Sequence, residues 1–162
     1  MDPISEQRLS QINPFLAAKV RALTDSLARA GVTIRVVQAL RTWDQQAALY
    51  AQGRTGPGAI VTKCVSGNSW HNFGLAVDVA PFTNDGVHAY PVPDWNSAHP
   101  CWKQMEDAAR GAGFVCGADF RTFPDNPHLQ LTGRFPVNPD DEVRQLFKDG
   151  GVQAVWDEAG TL

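Results

Sequence analysis

Two histidines and two aspartates in this sequence are spaced so that they can hold a divalent metal and work beside it. "NSWHNFGLAVDV", residues 68–79, carries His71 and Asp78, and "FPDNPHLQL", residues 123–131, carries Asp125 and His128. A site of His71, Asp78 and His128 supplies three N/O ligands and leaves a fourth position open, as catalytic rather than structural zinc requires. Asp125, outside that set, is then free to take a proton from an attacking water and pass it to a leaving amine. Spacing leaves competitors in play. His88 has Asp85 close by, and His99 precedes Pro100 at a helix start, where capping or a surface role suffices. Arg41 closes the run "VTIRVVQALR" and could bind a carboxylate or a developing oxyanion through its planar fork. An exposed arginine paired with Asp44 is an equal reading, and Gln46 could support either.

The elements that must position these groups follow from periodicity. In "GLAVDVA" Gly74, Ala76, Asp78 and Ala80 share one strand face, and Leu75, Val77 and Val79 share the other, the core face. Asp78 therefore projects from a face expected to be kept bare by small residues. Taken singly, Asp78 reads as a solvent-facing strand residue and His71 as a loop residue. The two can meet only if the chain bends between them, and Asn72 and Gly74 offer that bend. In "HLQL" His128 and Gln130 alternate with Leu129 and Leu131, and Pro127 is tolerable as the first residue of that strand.

Around these pieces, Asn13-Pro14 caps an amphipathic helix through Leu16, Val20, Leu23 and Leu27 that stops at Gly31. "VTIRVVQAL" reads as a strand. Thr42 and Gln45 have capping-box spacing for a helix that ends at Gly53. Residues 54–68 read as loop with a short strand near Ile60, and residues 81–98 as a long irregular connection. His99-Pro100 opens a helix to Gly113, "FVCG" is a short strand, and Asn138-Pro139 caps a last helix. One α+β domain over residues 1–162 is expected, without a separate wall-binding module.

The bulk numbers exclude more than they select. The 162 residues are 43% hydrophobic and 19% charged, ordinary for a chain with a packed core. A net charge of −3 provides no basic field for nucleic acid. No stretch is apolar enough to insert into a membrane, and the start lacks the basic and apolar regions of a secretory signal, so the protein is expected in the cytoplasm on synthesis. Cys64, Cys101 and Cys116 have no CxxC pairing and read as free, mostly buried thiols.

Ser69-Trp-His71-Asn-Phe-Gly74-Leu-Ala76-Val-Asp78 resembles the S-x-H-x-x-G-x-A-x-D motif of the zinc peptidoglycan peptidases with a hedgehog-like fold. Asp125-Asn-Pro-His128 is similar to that family's second segment. Arg41, Gln46, Tyr50 and Gly53 fall at matching places ahead of the first motif, and the likeness spans about residues 30–132. The family includes D-alanyl-D-alanine carboxypeptidases and the L-alanyl-D-glutamate endopeptidases used as phage endolysins. The resemblance implies a small central antiparallel sheet flanked by helices and one catalytic Zn2+ held by His71, Asp78 and His128. It further implies Asp125 as general base, Arg41 as carbonyl or oxyanion stabiliser, and support from Ser69. The implied partner is a peptidoglycan stem peptide, reached in the periplasm once a membrane lesion lets the protein through; a monomer is the simplest expectation. Aspartate in D-x-x-H is more like the endolysin branch than the carboxypeptidase branch. "HLQ" departs from relatives, which often carry an aromatic residue and a glutamate after the histidine. A D,D-carboxypeptidase or dipeptidase, or a zinc-containing wall-binding module without catalysis, are the alternatives.

Overall fold

A computed structural model describes residues 1–84, 86, 88 and 91–160. Its elements run α1 (Pro3–Leu9), α2 (Pro14–Arg29), β1 (Ile34–Gln38), α3 (Trp43–Ala51), β2 (Ala76–Thr83), β3 (Val92–Pro93), α4 (Pro100–Gly111), β4 (Val115–Cys116), β5 (His128–Gln130) and α5 (Asp141–Ala159). Single 3-10 turns lie at Trp70–Phe73 and Gly117–Asp119. The strands form an antiparallel sheet in the order β1-β2-β5-β4, with β3 pairing β2. The α+β expectation holds, and the site strands β2 and β5 are neighbours inside the sheet.

The helix starts obey the capping rules. Asn13 accepts from the backbone N–H groups of Phe15 and Leu16, with Pro14 at the first helical position. Thr42 and Gln45 form the full reciprocal capping box of α3. The last helix departs from expectation. Asp140, not Asn138, caps α5, and its carboxylate accepts from the N–H of Val143. That helix is also broken at Gly150 and Gly151. A further helix, α1, was not anticipated, although Asp2-Pro3 is itself a cap followed by proline. It shields the outer edge of β1: the Ser5 hydroxyl accepts from Val36 N–H at 3.0 Å, and Arg8 donates to Val36 C=O at 2.6 Å.

Two apolar clusters flank the sheet. The larger joins Leu16, Val20 and Leu27 of α2 and Met105 of α4 to Val77, Val79 and Leu129 of the strands. The smaller is aromatic and joins Trp70, Phe73 and Ala76 to Phe135, Val143 and Val155. The face of β2 expected to stay bare is therefore covered: Ala76 packs in the aromatic cluster and Ala80 in the aliphatic one. Small side chains there admit close packing rather than open space. Within the span expected to be irregular, residues 82–83 and 92–93 form strand. β2 runs on to Thr83 and forms a ladder in which Phe82 pairs with Pro93 and Thr83 with Val92. No strand forms near Ile60; the chain there is irregular. All three cysteines are free, Cys101 and Cys116 buried and Cys64 half-buried. No described helix is long and apolar enough to cross a membrane.

Candidate metal centre

Register and one bend assemble the site. Asp78 of β2 lies directly across from His128 of β5, so their side chains emerge side by side. His71 comes from the 3-10 turn before β2. That turn ends at Gly74, whose left-handed φ of 65° reverses the chain and brings the imidazole back over Asp78. The bend required by the sequence is thus where Asn72 and Gly74 stand. Asn72 anchors it by donating to Arg41 C=O at 2.9 Å and accepting from Gly67 N–H at 3.0 Å.

His71 Nε2 lies 3.1 Å from Asp78 Oδ1 and 3.1 Å from His128 Nδ1, and His128 Nδ1 lies 3.5 Å from Asp78 Oδ1. A tetrahedral ion with N/O ligands at about 2.0 Å holds neighbouring donor atoms about 3.3 Å apart. The remote ring nitrogens fix which atoms face inward. His71 Nδ1 is 2.8 Å from Ala39 C=O, which can only accept, so Nδ1 carries the proton and Nε2 presents a lone pair. His128 Nε2 is 2.9 Å from Gln130 Oε1, and the Gln130 amide is oriented by donating from its own nitrogen to Val137 C=O at 2.9 Å. His128 Nδ1 is thereby the second inward lone pair. Two lone pairs and a carboxylate facing one another demand a cation between them, and the donor set fits zinc.

Electrostatics agree. Burial pushes the Asp78 carboxyl up, but the two imidazoles packed against it, His71 and His128, outweigh that and hold the group below the usual carboxylate range. Burial pushes His128 down, yet Asp78 raises its pKa above the ordinary histidine value.

Asp125 sits in the loop before β5 and lines the same cleft, which measures about 470 Å³. Burial, reinforced by the Asp78 charge, raises its pKa from the ordinary value. Its carboxylate has no hydrogen-bond or ion-pair partner among the described residues. Gly117 makes this placement possible. A Cβ there would stand 2.4 Å from Asp125 C=O and 2.7 Å from His128 Cβ, so only glycine lets the 3-10 turn pass so close.

Arg41 is not the exposed partner of Asp44. Its Nη1 donates to Gln46 Oε1 at 2.8 Å and its Nη2 to Asp78 Oδ2 at 3.4 Å, while Nε is buried without a partner. Gln46, fully buried, is oriented in turn by donating to Cys64 C=O at 2.7 Å. Ser69 opens the His71 turn without a side-chain cap bond and lines the cleft instead. Of the competitors, His99 caps α4, with Nδ1 2.8 Å from Cys101 Sγ and 3.7 Å from Asp94 Oδ2, away from the cleft. His88 is exposed, and Asp85 lies outside the described residues. Sequence reasoning missed the work of Gln130 and Gly117. Alternation had placed Gln130 on the His128 face, but its anchor at Val137 is set by tertiary packing.

Residues 63–131 match the family described as D-alanyl-D-alanine carboxypeptidase. The chain is 34% identical over 124 residues to the peptidoglycan L-alanyl-D-glutamate endopeptidase CwlK of Bacillus subtilis (strain 168), a match covering 75% of this chain and 74% of that protein. Among solved structures, the Serratia marcescens L-Ala D-Glu endopeptidase ChiX superposes with a TM-score of 0.54 at 22% identity, covering 93% of this chain and 92% of that one. The vancomycin resistance D,D-pentapeptidase VanY in complex with Zn(II) superposes with a TM-score of 0.50 at 19% identity, covering 86% and 80%. The chain belongs to this family of peptidoglycan peptidases and has its hedgehog-like fold.

Proposed function

We propose that this peptidase is zinc-dependent and cuts the L-alanyl–D-glutamate bond of peptidoglycan stem peptides. The observation that carries the metal reading is the convergence of His71 Nε2, Asp78 Oδ1 and His128 Nδ1, each within 3.5 Å of the other two. The bond assignment is supported by the kinship with CwlK and by aspartate at the base position.

His71, Asp78 and His128 hold the ion, and Ala39 C=O and Gln130 keep the two imidazoles in the ligating tautomer. Zinc, when bound, acidifies water and polarises the scissile carbonyl. Asp125, unpartnered and with its pKa raised, accepts the proton of the attacking water and returns it to the departing amine. Arg41, steered by Gln46, stabilises the charge that develops on the carbonyl oxygen. Ser69 lines the cleft where the substrate lies. The chain acts as a single catalytic domain and as a monomer. Its role as a phage lysis enzyme working on periplasmic murein rests on the likeness of the Asp125–His128 segment to the endolysin branch.

The test is mass spectrometry of peptides released from purified Gram-negative sacculi, with and without a chelator. Chelator-sensitive fragments beginning at D-glutamate are expected. Free D-alanine alone would assign the carboxypeptidase reaction, and no product from zinc-loaded protein would overturn catalysis in favour of a wall-binding role.

A further inference from the structure

The cleft carries charge opposite to that of the molecule. The chain is net −3, yet Arg41, Lys63 and Arg121 line the cleft against Asp78 and Asp125 alone, before any divalent ion is added. Two of these cations are engaged. Arg41 is held by Gln46 and Asp78. Lys63 donates to Thr122 C=O at 3.0 Å and lies over the Phe123 ring at 5.3 Å, tying the 61–65 segment to the loop before β5. Arg121 is exposed, lines the cleft and has no hydrogen-bond or ion-pair partner among the described residues. Four arginines elsewhere on the surface are neutralised by carboxylates, Arg21 by Glu6, Arg110 by Asp119, Arg134 by Glu142 and Arg144 by Asp141, whereas Arg54 bonds only backbone carbonyls; what distinguishes Arg121 is that it lines the cleft.

Arg121 also stands on a defined side of the reaction. Asp125, on the same loop, protonates the departing amine, so the residue released with that amine lies against this loop. We infer that Arg121 is a specificity residue that binds a free carboxylate on the residue following the scissile amide. This inference rests on the endopeptidase reading above and narrows its substrate class to acidic peptides. Arginine suits the role because its fork pairs with both carboxylate oxygens, which a carboxamide cannot reproduce.

The test compares two synthetic stem peptides that differ at the α-position of a γ-linked D-glutamate, one with the free carboxylate and one with the carboxamide. The zinc-loaded protein is expected to favour the carboxylate by about 10- to 100-fold in kcat/KM, the range for a hydrogen bond to a charged group. Arg121→Ala should bring the ratio near one, and Arg121→Lys should keep part of it. A thermal melt should not move, since the side chain is exposed. Equal cleavage of both peptides by the unaltered protein, or an unchanged ratio in Arg121→Ala, would overturn the inference. Cleavage of neither peptide would instead overturn the endopeptidase reading, and this inference with it.

Discussion

The two halves of the candidate metal centre are held in different ways. His71 stands on a buried 3-10 turn tied to backbone at several points: Nδ1 to Ala39 C=O, its own C=O to Arg41 N–H, and Asn72 to Arg41 C=O and Gly67 N–H. Asp125 and His128 come from a loop and the first residue of a three-residue strand, and the Asp125 carboxylate is tied to nothing described. The contrast matches the proposed work. A ligand must point in one direction before the ion arrives, whereas a base must reach water and then an amine.

Breaking the fixed half should have the largest effect. His71→Ala removes a ligand, strands the Ala39 carbonyl and leaves a hole in a site where His71 is only 2% exposed. It should abolish zinc binding and murein cleavage and destabilise the protein by about 2–4 kcal/mol, read from denaturant unfolding. Disturbing the looser half should separate function from binding. Gly117→Ala forces Asp125 C=O away from a Cβ that would otherwise lie 2.4 Å off. That Cβ would also meet His128 Cβ at 2.7 Å, so kcat should fall about 100-fold and zinc affinity should weaken, while a titration at saturating zinc still reaches one ion per chain.

Acidification sharpens the comparison further. Because the folded protein raises the His128 pKa, a proton competes for the ion up to higher pH than an ordinary histidine would allow. Zinc affinity measured by calorimetry should therefore fall about tenfold for each pH unit below that raised value, with Asp78 still ionised throughout. The smallest effect is expected from Gln46→Ala, which removes one of the two side-chain partners of Arg41 and leaves its bond to Asp78 in place. It should cost about tenfold in kcat/KM and leave zinc stoichiometry unchanged.

How much of this was legible in the sequence depends on how local the cause was. Alternation in "GLAVDVA" and "HLQL" put Asp78 and His128 on strand faces, and Gly74 marked the bend that His71 needed. Capping chemistry located the starts of α2, α3 and α4 because those contacts are local. The α5 cap differed: Asn138, Asp140 and Asp141 all suit that position, and in the fold Asp140 accepts from the N–H of Val143, whose side chain packs into the aromatic cluster. The β2–β3 ladder, the Gln130–Val137 anchor and the close pass of Gly117 under Asp125 depend on contacts made only once the chain has folded. The covered face of β2 teaches the same point: alanine signals close approach as readily as empty space.

The division of labour between the halves is tested most directly with Asp125→Asn, measuring zinc content and sacculus cleavage on the same preparation. Burial and Asp78 raise the folded pKa of Asp125 above its unfolded value, so its ionisation weakens the metal-free fold at neutral pH and costs nothing below both values. The variant is predicted to hold one zinc per chain, to melt no lower than the parent in chelator at neutral pH, and to lose cleavage by about 100- to 10,000-fold. Undiminished cleavage with full zinc would contradict the assignment of Asp125 as the base, and loss of zinc would show that it belongs with the ligands instead.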